Sequence, residues 1–182
     1  MEKRNPDNGI EETPGRAWSP LKRWRERRPG QNLVEFAFIA PLLLLLIFGI
    51  IDIARLIHAH VTVGNAARQA VRFAITGQRL RDENGVVISR TVSIIDKGIT
   101  SLTGLPLTDT DDREVGGFHQ VTLNSRTSAG VNQPGEPGEP GDYVEVTVYY
   151  RIDMLTPLIN TIFPGVLVSG FERSINEDWG AV

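Results

Sequence analysis

The segment GQNLVEFAFIAPLLLLLIFGII, residues 30–51, organises the rest of this 182-residue chain. From Phe36 to Ile51 there are sixteen residues without a charge, and Glu35 is the only ionisable residue between Leu33 and Ile51. As an α-helix rising about 1.5 Å per residue, the span from residue 33 to residue 51 measures roughly 28 Å, close to the ~30 Å of a bilayer's hydrocarbon core. A helix that is apolar on all sides needs cover from protein or from lipid. The sequence therefore predicts a transmembrane helix over residues 30–52.

Charge is distributed unequally on the two sides of this helix. Residues 1–30 carry eight Lys or Arg against five acids, whereas residues 81–182 carry seven basic groups against fifteen acidic ones. Positive charge beside a membrane span stays cytoplasmic. We therefore predict a single-pass protein with a disordered, basic cytoplasmic tail over residues 1–29 and an ectodomain over residues 78–182 outside the cytoplasm. The chain has no cysteine, so neither disulfides nor thiolate metal sites are available.

Glu35 is the residue whose position most needs an explanation. An ionised carboxylate at the start of an apolar run costs several kcal/mol unless it is paired, so a functional role is the default hypothesis. The alternative is that the side chain lies at the membrane interface and reaches toward water. Its setting favours function, because basic residues precede Gly30 and Glu35 is the fifth residue after that glycine.

This arrangement resembles the processing site of the type IV pilin superfamily. Within that superfamily, residues 30–43 are most similar to the TadE-like family of tight-adherence (Flp pilus) systems, in which Val-Glu-Phe-Ala precedes a proline and a leucine run. The resemblance continues through Asp52-Ile53-Ala54-Arg55 and through residues 65–74, NAARQAVRFA, which are close to the family's pattern of small residues and arginines.

The resemblance implies a role for three residues. It implies cleavage after Gly30 by a prepilin peptidase, Gln31 as the new N-terminus, and Glu35 as the residue that sets subunit register. The new ammonium and the Glu35 carboxylate of a neighbouring subunit would neutralise one another inside the bilayer. The implied partners are other pilin-like subunits, pilus assembly platform proteins and inner-membrane lipid. The resemblance also implies that the C-terminal domain lies in the periplasm. It leaves open whether the protein is incorporated into a pilus.

Two other classes of function are weighed against this one. A basic segment followed by an apolar one is also typical of a secretory signal peptide, but no small-x-small cleavage site follows Ile51, which favours retention as an anchor. The chain could then be a signal-anchored periplasmic binding or sensing module unrelated to pilus assembly. No catalytic motif is present, so we expect neither an enzyme nor a cofactor, a metal site or nucleic-acid binding.

Helical spacing continues beyond the apolar segment. Apolar or small residues recur at helix period from Ile53 to Ala74, and Gly77 offers a C-terminal cap. One helix is therefore predicted from Leu33 to Thr76, with residues 53–77 as its extracytoplasmic extension, about 65 Å in all. Small residues permit close approach of another element, either the protein's own head or another subunit. These candidate helix-packing residues are Gly64, Ala67, Ala70 and Ala74.

The remaining residues predict a small α+β head with an antiparallel sheet. Ile88, Val92, Ile95, Ile99 and Leu102 repeat at helix period and predict a second helix that ends near Gly104. Strands are predicted over residues 118–124, 143–152 and 166–175, with the last two paired, and a turn-rich loop over 131–141. Residues 154–163 are predicted as a short helix or loop that covers the core or dips into the membrane surface. Residues 109–114 are acidic and are interpreted as a solvated loop rather than a calcium site.

Overall fold

The computed structural model describes residues 29–179. The predicted basic tail over residues 1–28 lies outside the described residues. Within the described residues, the beginning of the first helix, up to Phe38, is separate by its contacts from the compact unit that starts at Ile39. The functional boundaries predicted at residues 52 and 77 remain predictions.

The first element is a single long helix, α1, which spans Pro29–Ile75 and confirms the predicted continuous helix. Pro41 lies inside α1. Membrane helices tolerate an internal proline because neighbouring groups satisfy the backbone carbonyls that it leaves without a partner. Gly77 ends the helix in the left-handed conformation, with φ of 67°, and its N–H donates to the Ala74 carbonyl at 3.2 Å. The predicted glycine cap is therefore present.

The second helix, α2, spans Arg90–Thr100 and differs in two respects from the prediction. It ends at Thr100, before Gly104, and its fully buried residues are Ser93, Ile94 and Gly98, whereas Ile95 and Ile99 of the predicted stripe are partly buried against the core. Val92, which belongs to that stripe, is 52% exposed. The reason is close packing, because a Cβ placed on Gly98 would lie only 3.0 Å from the Val121 side chain. Small residues of α2 therefore face the sheet. The pattern of hydrophobic residues alone does not predict which residues of α2 face it.

The sheet has four antiparallel strands in the order β2-β1-β3-β4. Between β3 and β4 lies a third, short helix, α3. The bounds are β1 His119–Arg126, β2 Asn132–Pro134, β3 Tyr143–Ile152, α3 Pro157–Ile162 and β4 Val166–Ile175. The predicted pairing of the last two strands is confirmed, with Tyr143 opposite Ile175 and Ile152 opposite Val166.

The central strand β3 shows the alternation that its sequence predicts. Its inward side chains are all at most 5% exposed, and they are Val144, Val146, Val148, Tyr150 and Ile152. The short strand β2 was not predicted, because its residues lie in the segment interpreted as a loop. It is an edge strand of three residues, a position where Pro134 is tolerated since only one of its sides pairs with the sheet.

The outer half of α1 packs across the inner face of the sheet. Five of its alanines are fully buried in one core cluster with the inward valines of β3, and they are Ala59, Ala66, Ala67, Ala70 and Ala74. The two backbones are close at Gly170 of β4, where an added Cβ would lie 2.6 Å from the Val63 carbonyl oxygen and 2.8 Å from Gly64 Cα. Glycine at this strand position is therefore what lets the helix reach the sheet.

The part of α1 that packs on the sheet is about as long as strand β3. Twenty-two residues separate Asp52 from Ala74, which corresponds to about 33 Å of helix. The ten residues of β3 extend about 33 Å as a strand. Side chains fix both ends of this overlap, since Asp52 bonds to residues after β3 and Arg90 joins the Ala74 carbonyl to Asn176 after β4.

Candidate functional site

The apolar half of α1 is exposed to solvent in the described chain. Only 6% of its most apolar eighteen-residue window is buried, and Phe38 is 79% exposed. Side chains of this size favour leaving water by roughly 1.5–3 kcal/mol each. The described residues thus contain one helix long and apolar enough to cross a membrane, and the head does not enclose it. The exposed members include Leu33, Phe36, Ile39, Leu42, Leu43, Leu44, Leu46, Ile47, Phe48, Ile50 and Ile51.

The three residues of the predicted processing and register site lie in the first turns of α1. Gly30 and Gln31 directly follow its first residue, and Glu35 is exposed about one turn further on. Gly30 does not have a positive φ, and a Cβ built on it meets no described atom within 4 Å. Neither backbone conformation nor packing within the described residues therefore requires glycine at position 30.

The candidate helix-packing residues lie farther along α1. Ala67, Ala70 and Ala74 are fully buried in the protein's own core, whereas Gly64 is half-buried opposite Gly170. Of the two contacts that the sequence left open, packing against the head is therefore present. Contact with another subunit stays a prediction. Of the four candidate helix-packing residues, only Gly64 is partly exposed and could contact another subunit.

The apolar half of α1 meets the head at a buried carboxylate. Asp52, the first residue after the apolar run, is 3% exposed. Its Oδ2 accepts the Thr156 hydroxyl at 2.7 Å and the Thr156 backbone N–H at 2.9 Å, while Oδ1 accepts the Leu155 N–H at 2.7 Å. Three donors thus converge on one carboxylate, an arrangement that offsets the cost of burying its charge.

Arginines hold the segment that carries these donors at both ends. At its start, Arg55 Nη1 donates to the Asp153 carbonyl at 3.1 Å and also lies 3.4 Å from Asp52 Oδ1. At its end, the Arg151 guanidinium donates to the Pro164 carbonyl. The second arginine also lies 3.7 Å from the Asp153 carboxylate. The segment from Asp153 to Pro164, which contains α3, is therefore held to α1 at its start by Arg55 and to β3 at its end by Arg151.

Sequence reasoning missed the role of Asp52. It noted the Asp52-Ile53-Ala54-Arg55 segment only as part of a family resemblance. A usable feature was present, since an acid directly after an apolar run, with arginine three residues later on the same helix face, needs partners if it is buried. Those partners lie 103 and 104 positions away, at Leu155 and Thr156, which no local pattern indicates.

Other candidate chemistry is sparse in the part of the chain that the structure describes. No group of three or more His, Asp or Glu side chains there could hold a metal ion. The acidic loop over residues 109–114 is instead shaped by its own hydrogen bonds. Asp112 Oδ1 accepts the Glu114 N–H at 2.8 Å, and Thr110 Oγ1 accepts the Asp112 N–H at 3.1 Å.

These features define a protein with an exposed apolar helical segment, long enough to cross a membrane, that continues into the core helix of a small α+β head. Residues 30–72 match the family described as TadE-like protein, which confirms the resemblance seen in the sequence. The match covers the apolar half of α1, the Asp52 junction and most of the helix that packs on the sheet. TadE-like proteins are structural components associated with the tight-adherence pilus.

No curated protein and no solved structure shows a significant match to the chain.

Proposed function

We propose that this protein is a TadE-like minor pseudopilin, or a membrane-anchored component, of tight-adherence (Flp) pilus biogenesis. It is held in the bacterial inner membrane by a single pass of α1, with its N-terminus in the cytoplasm and its head in the periplasm. It assembles with other pilin-like subunits and with the assembly platform through the apolar half of α1. The observation that carries the proposal is the exposure of that half, from Leu33 to Ile51, within a segment that matches the family.

The position of Glu35 supports assembly through the helix. The side chain is exposed at the beginning of the apolar run, where a neighbouring subunit can reach it. If the chain is cleaved after Gly30, the ammonium of Gln31 is created four residues before Glu35. Pairing that ammonium with the Glu35 carboxylate of the next subunit neutralises the new charge and sets the stagger between helices.

Gly30 supports processing for a separate reason. In the first turn of α1, no described atom within 4 Å of its Cβ position and no positive φ requires glycine at position 30. A peptidase that needs a residue without a side chain at the scissile bond would explain its presence. This explanation does not depend on the role of Glu35.

The mature N-terminus tests processing. The full-length chain is expressed in strains with and without the tight-adherence prepilin peptidase, and its N-terminus is determined by mass spectrometry. We expect Gln31 at the N-terminus only when the peptidase is present. Gly30→Leu should abolish cleavage, whereas Gly64→Leu controls for a general effect of changing glycine in α1. Uncleaved chain in both strains would leave an anchored module as the better description of this N-terminus.

Assembly is tested separately, because family members need not all be cleaved. Glu35→Gln removes the charge and keeps the shape of the side chain, and Glu83→Gln is a matched change in an exposed turn of the head. We expect E35Q, but not E83Q, to reduce crosslinking of the protein to pilin-like subunits in membranes and to reduce piliation. Equal crosslinking in the two variants would contradict a role for Glu35 in register.

A further inference from the structure

We infer that the segment from Met154 to Pro164, here called the foot, is a second membrane-contacting element that rests in the interfacial region of the bilayer beside α1. The inference goes beyond pilus assembly, and it depends on the proposed function only in requiring that the apolar half of α1 lies in lipid. The occupant of the exposed face of the foot is therefore the boundary between headgroups and acyl chains.

The depth of the foot is set by its contacts with α1. Ile159 Cδ1 lies 4.0 Å from where a Cβ would stand on Gly49, a residue inside the predicted span. The hydrogen bonds of Asp52 fix Leu155 and Thr156 one turn farther along α1. If α1 crosses the bilayer over residues 33–51, α3 lies at the level of its last apolar turn and cannot stay in bulk water.

The composition of the foot suits that location. Its eleven residues, MLTPLINTIFP, contain no charge. Its large exposed side chains are apolar, with Ile162 at 64% exposure and Phe163 at 61%, and they lie beside the exposed polar Asn160 and Thr161. The polar Thr156 faces inward to the Asp52 carboxylate, and the Thr161 hydroxyl donates to the Pro157 carbonyl at 2.8 Å. A short apolar segment with aromatic and aliphatic side chains is typical of contact with the bilayer interface.

Several backbone N–H groups of the foot are paired with protein acceptors instead of water. The N–H groups of Leu155 and Thr156 donate to Asp52, and those of Asn160 and Phe163 donate to carbonyls within the segment. Its two prolines have no N–H to satisfy. Non-helical backbone in contact with lipid requires such internal partners, whereas a loop in water does not.

The position of the foot in the head agrees with this orientation. It follows the Ile152 end of β3, whereas Val131 lies beyond the opposite end of the sheet, next to the Arg126–Asn132 pair. Val131 is 59% exposed, close to the value for Ile162. The two side chains therefore form a matched pair of exposed aliphatic residues, one expected at the membrane and one expected away from it.

Because the chain has no cysteine, single cysteines report each position without background. Full-length Ile162→Cys, Phe163→Cys, Val131→Cys and Leu44→Cys variants are labelled with an environment-sensitive fluorophore. They are reconstituted into vesicles of phosphatidylcholine that carries bromine near the headgroup or near the acyl-chain end. Circular dichroism confirms that each variant is folded, and Phe163 repeats the reading of the foot independently of Ile162.

We expect the probes at positions 162 and 163 to emit at shorter wavelength than the probe at 131 and to lose most of their emission to bromine near the headgroup. The probe at Leu44 should be quenched mainly by deep bromine, and the probe at Val131 by neither lipid. Quenching at Leu44 without quenching at either foot position overturns the foot alone. No quenching at Leu44 overturns the membrane span and the foot with it. Foot probes that are shielded from aqueous iodide but not quenched by bromine indicate cover by protein, which also overturns the inference.

Discussion

The Asp52 carboxylate accepts the Thr156 hydroxyl at 2.7 Å across 104 positions of sequence, at the point where the apolar half of α1 ends. This hydrogen bond joins the end of the apolar half of α1 directly to the segment between β3 and β4. The adjacent Thr156 N–H donates to the same oxygen, and Thr156 is itself the residue that precedes the first turn of α3. The orientation of α3 therefore depends on a residue of α1.

Removing this acceptor should destabilise the head. Asp52→Ala leaves the Thr156 hydroxyl and two backbone N–H groups without their acceptor, at about 1–3 kcal/mol for each buried group left unsatisfied. We expect the free energy of unfolding to fall by about 3 kcal/mol. The measurement is urea-induced loss of β-sheet circular dichroism for the full-length protein in mild detergent.

The exposed Asp96 of α2 provides the control for Asp52, and Asp96→Ala should change the free energy of unfolding by less than about 0.5 kcal/mol. Thr156→Val tests the pairing in a double-mutant cycle with Asp52→Ala. Because the two residues share hydrogen bonds, their effects should not add. Additive effects would show that the two residues do not stabilise the head through each other.

Two facing glycines should respond in opposite directions to the same change. Gly170→Ala places a Cβ 2.6 Å from the Val63 carbonyl oxygen, so α1 and β4 must separate, and the free energy of unfolding should fall by about 1–3 kcal/mol. Gly64→Ala has open space around its Cβ within the described residues and should raise helix stability by up to about 1 kcal/mol. Thermal unfolding in detergent distinguishes the two.

Gly64→Ala also separates packing within the subunit from packing between subunits. A variant whose head is at least as stable as the native protein, but which crosslinks less to other subunits, would support intersubunit contact at Gly64. Unchanged crosslinking would show that Gly64 is not part of a close helix–helix contact.

Arg90 should not be replaceable by lysine. Its Nη2 donates to the Ala74 carbonyl at 2.9 Å and to Asn176 Oδ1 at 3.0 Å, and the guanidinium lies 4.3 Å from the centre of the Trp179 ring. Burial lowers the pKa of Arg90, yet a guanidinium stays protonated where a lysine would lose its charge more readily. We expect Arg90→Lys to lower the free energy of unfolding by about 1–3 kcal/mol.

The exposed Arg72 serves as the control for this change, because Arg72→Lys keeps a positive charge in the last turn of α1 and should be nearly neutral. Urea unfolding curves of the two variants are compared in the same detergent. An equal response at both sites would mean that the planar donors of Arg90 contribute nothing beyond their charge.

Tyr150 should make the head sensitive to alkali. Its hydroxyl donates to the Pro106 carbonyl at 3.0 Å, and burial raises the pKa of the Tyr150 phenol. The neutral phenol is thus favoured in the folded state, so its contribution is fully present below the unfolded pKa of about 10 and is lost as pH rises through and above that value. Tyr150→Phe should flatten this part of the pH profile.

Unfolding free energies measured between about pH 9 and pH 11 check this prediction, with the more exposed Tyr143 as the control residue. If Tyr143→Phe flattened the slope as much as Tyr150→Phe, the effect could not be attributed to the buried phenol.

The sequence predicted the elements whose hydrophobic period is long and unbroken. The alternation in β3 and the apolar run of α1 each repeat over ten or more residues, and both elements are present as predicted. The hydrophobic period of α2 did not predict the burial of Ser93 and Gly98, because these residues are buried for their small size. Strand β2 has three residues and exists only because β1 offers an edge, so no local pattern reveals it.

The candidate site was only partly predictable for a related reason. Gly30, Gln31 and Glu35 could be singled out because their spacing resembles a known family, and their proposed roles await the experiments above. The exposure of the apolar half followed from its composition. Asp52 acquires its meaning only from the β3–β4 connection, a tertiary contact that composition and period cannot indicate.

A fragment that contains only the head requires a choice of where to cut α1. Ile53 is the obvious first residue for such a fragment, because the fragment would then lack the apolar half of α1 and begin with its amphipathic turns. It would also discard the Asp52 carboxylate and leave the donors of Leu155 and Thr156 facing the cut end. A soluble fragment that keeps the native shape of the β3–β4 connection should therefore retain Asp52 and carry a polar replacement for the turns before it.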